Sequence, residues 1–231
     1  MRSVRAIFAK QRKDMTRNFS VLSMFVIFPL VAFAMTHFVA QGNYDISDTM
    51  FATMMAGIFS GMALIQVACN IIAEDREKKS IRFLVIAGVK PLSYLVGVGG
   101  VILIAGLLTS LAFGYIGGFA QDEFIAFMLV MMSGAVASII LGATIGIWAK
   151  NRQAASGLCL PFAVILGFAP MIAQFNENVE RFAGFLYTQQ INVVVDDFSA
   201  GLAEPLTVIW LNIAVLAVLF VIAYARKGLR G

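Results

Sequence analysis

Few residues of this 231-residue chain could carry covalent chemistry. Its single histidine, His37, has no second imidazole with which to share a metal. Ser60 is followed by Gly61, but Gly57 stands one position too far back for a G-x-S-G nucleophile motif. The acids Glu74 and Asp75 could serve a metal-dependent hydrolase, yet no partner histidines follow them. Cys69 and Cys159 show neither C-x-x-C nor Cys/His metal spacing, so they read as small apolar space-fillers. No G-x-x-x-x-G-K-[S/T] sequence occurs, so the loop and lysine that cradle nucleotide phosphates are missing. The expectation is a chain that is not an enzyme, binds no metal and holds no cofactor of its own.

The informative side chains lie in a charged run and the residues after it. Positions 74 to 79 read Glu-Asp-Arg-Glu-Lys-Lys. Ser80 can cap a short helix by accepting from an unpaired backbone N–H. Ile81, Phe83, Leu84, Val85 and Ile86 then form an apolar run too short to cross a bilayer. Gly88 suits a helix end, and Pro91 suits the first turn of the next helix. Apolar surface of this kind needs a cover. A docked protein is the favoured cover, and interfacial lipid is the alternative.

The elements that must position this loop are membrane spans. Hydrophobic residues make up 60% of the chain and charged residues 13%. A soluble domain is nearer 45–50% apolar and about 25% charged, which excludes an ordinary globule. Six apolar runs stand out: Phe19–Val39, Met50–Ala73, Leu92–Phe119, Phe124–Ala149, Ala154–Ala173 and Leu206–Ala225. At about 20 residues a span, they leave no room for a soluble catalytic domain. Sixteen of the 17 lysines and arginines fall on alternate sides of these runs, in the N-terminal segment, the second loop, the fourth-to-fifth turn and the tail ending at Arg230. Arg181 is the exception. Basic residues stay inside, so both termini are expected in the cytoplasm. Nine of the 13 acids, among them Asp45, Asp48, Asp122 and Glu123, fall outside. Dispersed over four short segments, the basic residues argue against nucleic acid as a partner.

Secondary features fill in the picture. Val4, Ile7, Phe8 and Met15 recur at roughly helical spacing among basic residues, as in an amphipathic helix lying among lipid headgroups. No ionisable residue stands in the middle of a span, so the energy source is expected to be external. Gln66 and Asn70 in the second span and Asn212 in the sixth could bond between helices or line a path. Gly134, Ser138, Gly142 and Gly146 step by four along the fourth span, and Thr49, Thr53, Gly57 and Gly61 along the second. Such stripes let helix backbones approach closely, for packing within one subunit or for a sliding contact. Pro161 and Pro170 invite kinks in the fifth span. The segment 174–205 has the makings of two short amphipathic helices dipping into the outer leaflet, with an acidic surface.

From Asn70 to Gly97 the sequence resembles the type 2 ABC exporter permeases. The matching residues are Glu74, Glu77, Lys79, Ser80, Ile81, Pro91, Tyr94, Leu95 and Gly97. Glu77-Lys-Lys-Ser80 departs slightly from the commoner Glu-Lys-Gly-Thr. The resemblance implies an all-α integral membrane fold. Six transmembrane helices follow an N-terminal elbow helix (residues 1–18), and the permease domain occupies 19–231. It further implies a cytoplasmic coupling helix over Ser80–Ala87 and re-entrant outer helices before the last span. Two permease subunits, identical or related, would dock onto two ABC ATPase subunits that bind ATP and Mg. Coupling contacts would come from Glu74, Glu77, Ser80, Ile81, Arg82, Phe83 and Leu84. A path between subunits, lined mainly by the second and fifth spans, would use Thr53, Gly57, Ser60, Gln66, Asn70, Pro161 and Met171. The expected cargo is an amphipathic antimicrobial peptide or drug moved outward, with lipid-linked polymers as the alternative. The expected location is a bacterial plasma membrane. Two other readings stay open: a self-sufficient carrier or channel, and a permease-like subunit of a haem-delivery complex.

Overall fold

The computed structural model describes residues 2–40, 47 and 49–227. Asp45, Asp48 and Arg230, which enter the charge distribution, lie outside the described residues. Every regular element among the described residues is helical, and six helices are long and apolar enough to cross a membrane.

Helix α1, Arg2–Arg17, carries Ile7, Gln11 and Met15 on one buried face. That face is covered by protein rather than left to lipid. Ile7 lies against Gly97, where an added Cβ would stand 2.7 Å from its Cγ2, and the Phe8 ring lies against Gly100. The chain breaks at Asn18, whose side chain accepts from the Val21 N–H and caps α2, Phe19–Met35. A π-helical turn, Thr36–Ala40, completes the first span.

The second span is α3, Met50–Ile58, a π-helical turn over Phe59–Ala63, and α4, Leu64–Glu77. It is the hub of the bundle. Of its most apolar stretch 78% is buried, against 17% for the first span. Short α5, Ser80–Ile86, leads into α6, Pro91–Ile116, with Pro91 in its first turn. Then come α7, Gln121–Trp148, and α8, Arg152–Ala173, which runs unbroken through Pro161 and Pro170. Two short helices, α9 (Glu177–Ala183) and α10 (Tyr187–Asp196), precede the last span, α11, Ala203–Lys227.

Three glycines of the small-residue stripes, Gly61, Gly142 and Gly146, make backbone contacts inside one subunit. A Cβ on Gly142 would stand 2.3 Å from the Ile65 carbonyl oxygen, and one on Gly146 would stand 2.6 Å from that of Cys69. The fourth span therefore mates with the second. A Cβ on Gly61 would meet the Leu166 carbonyl oxygen at 2.5 Å, so the second span also presses on the fifth.

Helix α10 differs from the expected leaflet-dipping helix. Almost all of it is buried, polar Thr188, Gln189, Gln190 and Asn192 included. It sits in notches left by glycines: Asn192 faces Gly57, and Ile191 faces Gly134. Ser138 Oγ donates to the Ser60 carbonyl at 2.7 Å and lies 2.8 Å from the Tyr187 hydroxyl. Burial raises the pKa of the Tyr187 phenol, which keeps it protonated.

Candidate functional site

The charged run closes α4 and converges with four other helices at one end of the bundle. Four consecutive residues on a helix point in four directions, about 100° apart. Here they find different partners, except that Glu74 and Glu77 both reach Arg152. Glu74 pairs with Lys78 on its own helix and lies 3.7 Å from the Arg152 guanidinium of α8. Asp75 is buried, receives Lys10 of α1, and accepts from the Tyr94 hydroxyl of α6 at 2.9 Å. Arg76 donates to the last carbonyls around the end of α7, those of Ile147 and Ala149, at 2.6 Å each. Glu77 accepts the Arg152 backbone N–H at 3.0 Å. The end of α11 joins them through the Tyr224 hydroxyl, 3.4 Å from the Val89 carbonyl. The Glu74 carboxylate, bonded to the Lys78 ammonium, holds that lysine protonated above its usual range.

Helix α5 hangs from this junction. The chain reverses out of α4 through Lys79, in the left-handed region at φ 59°. Ser80 is then the first helical residue and makes no capping bond, so its expected capping role is corrected. The turn is too tight for a residue in the extended conformation that capping needs. At the far end Gly88 takes φ 75°. Its N–H reaches the Val85 carbonyl, and the Val89 N–H reaches that of Leu84, a Schellman closure.

This short helix has two faces. Ile81 is 2% exposed and packs into the bundle. It therefore faces away from the exposed side of the helix and holds the helix against the core. Leu84 and Val85 are half-buried against the same core. Phe83 and Ile86 are 69% and 68% exposed, with Arg82 exposed beside them. Ile86 belongs to the apolar run but not to the expected coupling contacts, although it follows Phe83 at the i, i+3 spacing of one helix face.

The path candidates divide in a similar way. Ser60 is fully buried, with its carbonyl bonded to Ser138, and Gly57 is buried against Asn192. Both face the interior of one protomer, where α10 covers them. Thr53 is half-buried and donates to the Met50 carbonyl. Gln66 is half-buried. Asn70 accepts from the Ser156 hydroxyl of α8 at 2.9 Å. Pro161 is exposed on α8. Met171 opens onto an apolar groove of about 380 Å³ between the first, second and fifth spans, with Met54, Met55, Met62 and Phe168.

Asp75, Arg76, Tyr94 and Arg152 are the junction residues that the sequence reading did not assign. The Glu-Asp-Arg-Glu run marks where charge gathers, but not which partner each side chain meets.

A family model described as ABC-2 family transporter protein matches residues 36–225. No curated protein matches the chain.

Proposed function

The chain belongs to the ABC-2 family of transporter proteins, and from that premise we propose that it drives export of an amphipathic substrate through the exposed face of α5. It is a multi-pass membrane permease, not itself catalytic, of a family that works with an ATPase subunit. The observation that carries the proposal is the pair Phe83 and Ile86, apolar and more than two-thirds exposed on a helix too short to cross a membrane. The ATPase is the proposed cover for that face. Arg82 beside it would fix register, and Ile81 and Leu84 would anchor the helix from behind. Glu74 and Glu77 would act through the junction rather than by touching the partner. The α5 end is then the cytoplasmic end, with both termini there, in a bacterial plasma membrane.

Two copies of the permease, or one copy and a relative, would sit on two ATPase subunits holding ATP and Mg. ATP must bind the closed ATPase pair better than the open one, since equal affinity shifts nothing. Closure would push α5 and tilt the second and third spans that flank it. The methionine-lined groove supports an amphipathic cargo, a peptide or drug, because unbranched thioether side chains repack around varied apolar shapes.

Phe83→Asp and Ile86→Asp are expected to cut ATPase co-purification at least about tenfold, since each places a charge in an apolar contact. Association left unchanged by both would remove the proposal. Ile81→Asp should instead lower the yield of folded permease.

A further inference from the structure

The turn between α7 and α8 is gripped at both of its helix ends by a single turn of α4. The carbonyl end of α7 carries negative partial charge, and Arg76 meets it through the Ile147 and Ala149 carbonyls. The N–H end of α8 carries positive partial charge, and Glu77 meets it at the Arg152 N–H. Glu74 adds the pair with the Arg152 side chain. These signs are matched: each α4 side chain is opposite to the helix end it touches. Asn151 already caps α8 by accepting from the Ala154 N–H, so the Glu77 bond is a second, external hold on the same helix start. Below it the Ser156 hydroxyl donates to Asn70 at 2.9 Å, continuing the tie between second and fifth spans into the bundle.

We infer that Arg152 is a positioning residue through which displacement of α5 and the end of α4 reaches the fifth span. The α7–α8 turn is thus a second transmission element that need not touch the ATPase. This rests on the coupling reading of α5 given above. Without the tie, a push on α5 would reach α8 only through the packing of the second span on the fifth and the Ser156–Asn70 bond.

The test places an environment-sensitive fluorophore at either of two introduced cysteines, in the permease–ATPase complex. Gly157→Cys reports on α8, at an exposed position where an added Cβ meets nothing within 4 Å. Lys90→Cys, also exposed, reports on the loop that carries α5. The native cysteines are buried and stay in place. Trapping with ATP and vanadate should change the signal at both sites. Arg152→Glu sets like charges against Glu74 and Glu77. It should reduce the response at Gly157→Cys about fivefold, the scale of one partly exposed ion pair, while the response at Lys90→Cys persists. Arg152→Lys should retain most of the response, and the swap Glu74→Arg with Arg152→Glu should restore it. Arg152→Ala, which adds no repulsion, is the variant to use if the reversal fails to assemble. A Gly157→Cys response that survives both Arg152→Glu and Arg152→Ala overturns the inference. A silent Lys90→Cys in the otherwise unaltered protein overturns the coupling reading instead.

Discussion

Asp75 shows how much can turn on one carboxylate. It is 5% exposed, although it lies within a run of six charges. The pair is buried at one end only: Lys10 keeps 46% of its side chain in solvent and has Asp14 at 3.5 Å, so losing Asp75 does not strand it. Asp75→Asn removes the charge that accepts from both Lys10 and Tyr94 and is expected to destabilise the permease by about 2 kcal/mol, read by thermal unfolding in detergent. Tyr94→Phe removes only one neutral donor and should cost about 1 kcal/mol. The double variant should lose less than the sum, because both changes act on the same carboxylate. An unaltered unfolding temperature in Asp75→Asn would contradict the role given to this residue. The sequence shows six adjacent charges, but the choice of the inward one depends on where α1 and α6 cross α4. No local pattern records that crossing.

At the scale of the helices, the glycine stripes were legible as close-packing faces, and their partners were not. Gly142→Ala should cost about 1–3 kcal/mol, since the methyl group would press on the Ile65 carbonyl and force α4 and α7 apart. Gly157→Ala, on the same kind of apolar helix but in open space, should be neutral or stabilising by up to about 1 kcal/mol. Thermal unfolding of the two variants side by side checks the contrast, and equal losses would refute it. The short helix α5 could be read from sequence because Gly88 and Pro91 end it by local rules. Its start was misread because Lys79, with no sequence mark of left-handed geometry, makes the reversal. The π-helical turn at Phe59–Ala63 was likewise invisible, since one extra residue in a span changes no composition.

For the molecule as a whole, six spans followed from composition and from the alternation of basic segments. The structure gathers those segments at one end through Lys10, Arg76, Arg152 and the Tyr224–Val89 contact. The burial of α10 was not legible: a ten-residue helix carrying Thr188, Gln189, Gln190, Asn192 and Asp196 reads as an amphipathic helix at the outer leaflet until Gly57 and Gly134 are seen to make room for it. A permease that depends on an outside ATPase should move no solute when reconstituted alone. Vesicles holding the chain without its ATPase are expected to retain a loaded fluorescent cationic peptide as well as empty vesicles do. Leakage or counterflow from the chain alone would favour a self-sufficient carrier.

The junction joins ties of unequal wetness. Glu74 and Arg152 keep 33% and 42% of their side-chain surface in solvent, whereas Asp75 keeps 7%. Dissolved ions screen exposed charges over about 8 Å at physiological ionic strength and about 3 Å at 1 M, and reach sheltered ones far less. Lys10, the partner of Asp75, keeps 46%, so only one end of that bond is sheltered. Raising potassium chloride should therefore slacken the Glu74–Arg152 pair more than the bond from Asp75 to α1. Ionic strength becomes a dial that loosens one helix of the transporter further than its neighbour.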